Sequence, residues 1–97
     1  MTEHTGKQRR KLRGLAHHLD PIVQVGKEGV TDSVLAAVRK ALDDHELIKV
    51  RVLESAPEGR DEAGAAIAAK TDAHVAGAVG RIVMLYRRHP TEPKLDV

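Results

Sequence analysis

Apolar positions along this chain keep two different rhythms, and the switches between them lay out the elements. In "GKQRRKLRGLAHHL" (6–19), Leu12, Leu15, Ala16 and Leu19 recur at helical spacing, with Lys7, Arg9, Arg10, Lys11 and Arg13 opposite them. Asp20-Pro21 ends that helix, because the residue before a proline is pushed out of the α region. "PIVQV" (21–25) reads as a short buried strand. "VTDSVLAAVRKALDDH" (30–45) returns to helical spacing, with Val34, Leu35, Val38, Ala41 and Leu42 as its buried stripe. Thr31 is the expected N-cap, Val30 and Leu35 hold the two staple positions, and Asp32 suits the positive end of the helix.

"ELIKVRVLES" (46–55) alternates, with Ile48, Val50 and Val52 on one face of a strand and Lys49 and Arg51 on the other. Ser55 and Glu58 have capping-box spacing around Pro57, which predicts an Ala-rich helix from there to Lys70. Its small residues suit close packing on a sheet, although Gly59 and Gly64 weaken it by ~1 kcal/mol each relative to Ala. "AHVAGAV" and "RIVMLYR" are two further strands, and Gly80-Arg81 between them is a type II′ hairpin signal. The order α-β-α-β-α-β-β predicts a compact two-layer α/β domain with a mixed four-stranded sheet, parallel at its βαβ units and antiparallel at the terminal hairpin. One domain is expected over residues 1–88, and the polar, proline-bearing tail at 89–97 is expected to be loose.

Composition removes several function classes. The 97 residues contain no Cys, so disulfides, thiolate nucleophiles and Cys-based zinc sites are out. No run is long and apolar enough to span a membrane and no apolar signal region opens the chain, so a cytoplasmic protein without a membrane partner is the expectation; a monomer is expected. Tyr86 is the single aromatic, so base stacking on an aromatic platform is nearly excluded. The net charge of +2 is unevenly spread: residues 1–40 carry eight Lys/Arg against four acids, and residues 41–97 eight against ten. A basic front half points to a polyanion, set against a merely solvated helix face.

The chemistry is sparse. Six histidines show neither His-Glu-x-x-His nor an i, i+4 helical pair, and Asp44-His45-Glu46 would need a distant third ligand, so a metal-dependent hydrolase there is a remote reading. His45 suits the negative end of a helix. Ser33 and Ser55 hold capping positions rather than a nucleophile elbow. No cofactor, metal or catalytic residue is expected. The segment that asks for an explanation is Gly26-Lys27-Glu28-Gly29, where a strand hands over to a helix. Either the glycines serve a turn that needs positive φ, or they let the backbone approach a phosphate held at the helix N-terminus with Lys27 beside it. KH domains clamp nucleic-acid backbone with a Gly-x-x-Gly loop. Lys49 and Arg51 are a solvated face or an extension of a phosphate track.

"LRGLAHHLDPIVQVGKEGVTDSVLAAVRKALDDHELIKVRV" followed by "VGRIVMLYR" resembles the YhbY family, the bacterial stand-alone form of the CRM domain, over about Lys11 to Arg87. The early Leu-x-x-x-Ala-His, the Val-Gly-x-x-Gly-Val-Thr, the "HELIKV" block and the closing Gly-x-x-x-x-Leu-Tyr-Arg occur in order. The family's loop glycines fall on Gly26 and Gly29, and its terminal Leu-Tyr-Arg on Leu85, Tyr86 and Arg87. The resemblance implies an RNA-binding fold similar to the C-terminal domain of a bacterial translation initiation factor, acting without catalysis on precursors of the large (50S) ribosomal subunit. Glu28 departs from it by placing an acid in the loop. On this reading RNA contacts are expected from Gly26, Lys27, Gly29 and Thr31, along the helix from Arg9, Arg10, Lys11 and Arg13, and at the far end from Arg87 and Arg88. The rival is a protein-interaction adaptor on the ribosome that meets an acidic protein surface without binding RNA.

Overall fold

The computed structural model describes residues 6–95, so the parts of the expected domain and tail at 1–5 and 96–97 lie outside the described residues. Seven elements follow in the expected order: α1 (Gly6–Ala16), β1 (Val23–Val25), α2 (Asp32–His45), β2 (Leu47–Val52), α3 (Arg60–Thr71), β3 (His74–Val79) and β4 (Ile82–Tyr86). They build one mixed sheet in the order β1-β2-β4-β3. β1 and β2 are parallel, with Val23 opposite Val50, and β4 is antiparallel to both β2 and β3. Gly80 takes φ +58 at the tip of the β3–β4 hairpin, the conformation the Gly-X turn was expected to need.

The two-layer arrangement does not hold, because helices cover both faces of the sheet. Val23, Val25, Ile48, Val50, Val52, Val83 and Leu85 point to one face and pack with Leu35, Val38 and Leu42 of α2 and Ala63, Ile67 and Ala68 of α3. Leu47, Ala76, Met84 and Tyr86 point to the other and pack with Leu12 and Ala16 of α1. Strand alternation demands this second layer: Leu47 and Tyr86 are opposite each other in register, and burying both needs a cover on the face away from α2 and α3. Small residues let the layers close up. A Cβ on Gly64 would lie 2.9 Å from Val83 Cγ1, so α3 sits directly on β4.

Two boundaries differ from expectation. α1 stops at Ala16, where His17 and Leu19 turn back with i→i−3 bonds to Gly14 and Ala16, and this leaves Leu15 and Leu19 exposed beside the sheet. α3 starts at Arg60 with Gly59 as its N-cap and no side-chain cap bond, so the Ser55…Glu58 box does not form. Over its described part the tail meets the domain: His89, Lys94 and Leu95 give their N–H groups to the Glu46 carboxylate, and Leu95 packs against the α1-side cluster.

Candidate nucleic-acid interface

The Gly-x-x-Gly segment is a hydrogen-bonded turn. Gly29 N–H donates to the Gly26 carbonyl at 2.9 Å, closing the chain over Lys27 and Glu28, and Thr31 N–H donates to the Gly29 carbonyl at 3.1 Å. Only one of the two glycines is demanded by local geometry. Gly29 has φ +77, which side chains disfavour. A Cβ there would also stand 2.8 and 3.1 Å from the two Glu58 carboxylate oxygens and 3.0 Å from Pro57 Cγ. At Gly26 a Cβ would meet only Leu53 Cδ1 at 4.0 Å.

Past the turn, Thr31 caps α2 as expected, its Oγ1 accepting the Val34 N–H at 3.1 Å. The first intrahelical bond runs from Leu35 N–H to the Thr31 carbonyl, so the first-turn N–H groups of Asp32 and Ser33 precede any helical acceptor. With Lys27 exposed at the tip, this end of the domain can hold an anion. Acids crowd it, however: Glu28 and Asp32 are exposed on the same turn and helix start, and Glu58 lies against Gly29.

The basic helix lies elsewhere. Lys7, Arg9, Arg10 and Lys11 are exposed on α1, on the sheet face away from α2 and α3. Arg13 is partly absorbed by the fold: its stem crosses Gly77, where a Cβ would come 2.5 Å from Arg13 Cδ, and its guanidinium donates to the Ala76 carbonyl at 3.4 Å. Gly77 sits at the β-bulge of β3, which brings the strand under that stem. Between α1 and the loop, the same sheet face carries Lys49 and Arg51. Lys49 is opposite Met84, which α1 covers, and Arg51 is opposite Gln24, three residues before Lys27. Register thus puts on the α1 side of the sheet, with Arg51 beside the strand that leads into the loop, two basic residues that the sequence left as a solvated face or an extension of a phosphate track.

Arg87 and Arg88 do not close this series. The end of β4 pairs with the start of β2, and the loop adjoins the end of β2, roughly 15 Å away at the rise of a strand. The Arg87 guanidinium is committed inside the fold, donating to the carbonyls of Thr71 (2.9 Å) and Arg39 (3.4 Å) and to the Asp43 carboxylate. It ties α2 to the end of α3, so its donors are engaged within the fold. Arg88 is exposed at the same distant end.

That far end holds a feature sequence reasoning passed over. Glu46 is fully buried at the C-cap of α2 with φ +63, a conformation usually left to glycine. Burial pushes its carboxyl up, but the N–H groups of His89, Lys94 and Leu95 outweigh this and hold it below the usual Glu value. Glu46 is thereby occupied, and Asp44-His45-Glu46 is not a ligand set; among the described residues no group of three potential ligands is placed to hold a metal ion. Tyr86 is buried, so it offers no stacking surface, and its hydroxyl is pushed up by burial and by the negative charge of Glu46.

Comparison with known proteins agrees with this architecture. The sequence profile of the CRS1 / YhbY (CRM) domain matches residues 5–87. The chain is 37% identical over 93 residues to a Bacillus subtilis protein named "Probable RNA-binding protein YqeI", covering 96% of this chain and 97% of that one. It is 44% identical over 87 residues to a Haemophilus influenzae protein named "RNA-binding protein", covering 90% and 88%. The solution structure of SAV1595 from Staphylococcus aureus superposes with a TM-score of 0.78 at 33% identity, over 97% of this chain and all of that one.

Proposed function

Since the chain belongs to the CRS1 / YhbY (CRM) domain family, we propose that it is a non-catalytic RNA-binding protein whose partner is precursor RNA of the large ribosomal subunit. The observation that carries the reading is the set of basic side chains on the α1 side of the sheet, Arg9, Arg10 and Lys11 on α1 with Lys49 and Arg51 on β2, together with Lys27 exposed on the Gly-x-x-Gly turn three residues past Gln24, the register partner of Arg51. Such groups neutralise phosphates and set the register of the RNA, while selectivity comes from RNA shape. At the loop, Lys27 and the N–H groups of Asp32 and Ser33 receive one phosphate, which Gly26 lets approach.

Titration with large-subunit ribosomal RNA stripped of protein tests the binding. Log K should fall against log salt with a slope of ~0.7–0.9 per phosphate neutralised, and crosslinking in cell extract followed by RNA sequencing should recover precursor large-subunit RNA. A slope near zero, or recovery of unrelated RNA alone, would refute it. The adaptor reading draws on one feature, an apolar cleft of about 470 Å³ lined by Leu15, Leu19, Ile22, Leu47 and Leu95. An adaptor would bind the stripped RNA no better than an unrelated basic protein of equal charge.

A further inference from the structure

Glu58 sits where the proposed phosphate site has least use for an anion. Its Oε1 is shut off from solvent and makes no hydrogen bond. A buried carboxylate oxygen without a donor is costly, and native folds seldom leave one unexplained. Glu58 precedes Gly59, the N-cap of α3, and its two oxygens lie over Gly29, the residue that turns the chain toward the N-terminus of α2. A phosphate held by Lys27 and the first-turn N–H groups of α2 would therefore arrive beside this carboxylate.

Resting on the RNA-binding reading of the loop, we infer that Glu58 is a built-in anionic competitor at the Gly-x-x-Gly turn, and that RNA phosphate seats there as the carboxylate swings away from Gly29. The fold provides somewhere for it to go. Glu58 itself lines, with Glu54, Arg60, Gly80 and Arg81, an open polar groove beside the 53–59 connection, so the carboxylate leaves Gly29 by turning further into it. Arg60 there is bonded to Asp61 and the Gly80 carbonyl, and Arg81 to Glu54 at a loose 3.5 Å. Turned outward, Glu58 exchanges an unpartnered burial for two nearby guanidinium groups. The loop thus binds phosphate more weakly than its backbone alone would, and Glu58 sets that weakness.

The test compares wild type, Glu58→Gln, Lys27→Ala and Asp72→Asn in binding protein-free large-subunit ribosomal RNA. Asp72 is exposed at the far end of α3 and removes the same charge remotely. Glu58→Gln should bind about threefold tighter or better near 0.1 M salt, with the gain shrinking as salt screens it. Asp72→Asn should gain less, and Lys27→Ala should weaken binding. If Lys27→Ala weakens binding while Glu58→Gln leaves it unchanged or weaker, the competitor role is overturned and the loop reading stands. Equal gains in Glu58→Gln and Asp72→Asn would overturn it too, as an effect of net charge. A Glu58→Gln change in melting temperature with no change in RNA affinity would make Glu58 purely structural. If neither Lys27→Ala nor Glu58→Gln moves affinity, the loop reading falls together with the inference.

Discussion

Replacing Glu46 should loosen the end of the molecule opposite the loop, by an amount the structure bounds. The carboxylate accepts three backbone N–H groups, from His89 at 2.7 Å, Leu95 at 2.9 Å and Lys94. Charge-assisted bonds are each worth ~1.5–3 kcal/mol. Gln keeps one acceptor oxygen but puts an amide donor where the other carboxylate oxygen accepts, so Glu46→Gln should lose the equivalent of about one such bond and be destabilised by ~1–3 kcal/mol, read by urea unfolding at pH 7. Backbone conformation separates two further variants: at φ +63, Glu46→Gly relieves strain that Glu46→Ala keeps, so Gly should be the more stable by ~1 kcal/mol. Because the Glu46 carboxyl titrates below its ordinary 4.5 in the folded protein, its contribution is fully present above that value and is lost as pH falls through the lower folded value. The gap between wild type and Glu46→Gln should therefore narrow in acid. A Glu46→Gln variant within ~0.5 kcal/mol of wild type at pH 7 would refute these bonds as stabilising contacts, since surface changes of no consequence fall in that range.

Other outcomes follow from the same geometry. Gly26→Ala should fold like wild type, whereas Gly29→Ala should lose ~1–3 kcal/mol by chemical denaturation, because its Cβ meets Glu58 and Pro57 at positive φ. Gly29→Asp would set a second carboxylate against that of Glu58, so Gly26 is the cleaner position for probing RNA approach. Neutralising Arg9, Arg10 and Lys11 together should weaken RNA binding across sequences and leave the melting temperature nearly unmoved, since exposed charges add little to folding. Arg87→Ala should do the reverse: it should destabilise by ~1.5–3 kcal/mol through the lost clamp between α2 and α3, with RNA affinity of the folded protein unchanged.

Local pattern was enough to read the order of elements, the Thr31 cap, the stripe of α2, the Gly80 turn and the alternation of β2. Each depends on residues within a few positions of one another, through helical period, pleat or capping geometry. What depended on partners distant in sequence could not be read this way. The second layer required knowing that Leu47 lies opposite Tyr86, 39 positions on, and that α1 covers both. Ser55 and Glu58 had the spacing of a capping box, yet Glu58 packs over Gly29 and the helix begins later. Arg87 looked like one more surface cation until the ends of α2 and α3 met around it, and Lys49 and Arg51 gained significance only when register set them between α1 and the loop. Glu46 gave no sequence signal at all, because a carboxylate is called into a core by donors that tertiary folding alone brings to it, here the N–H groups of a tail 43 to 49 residues away.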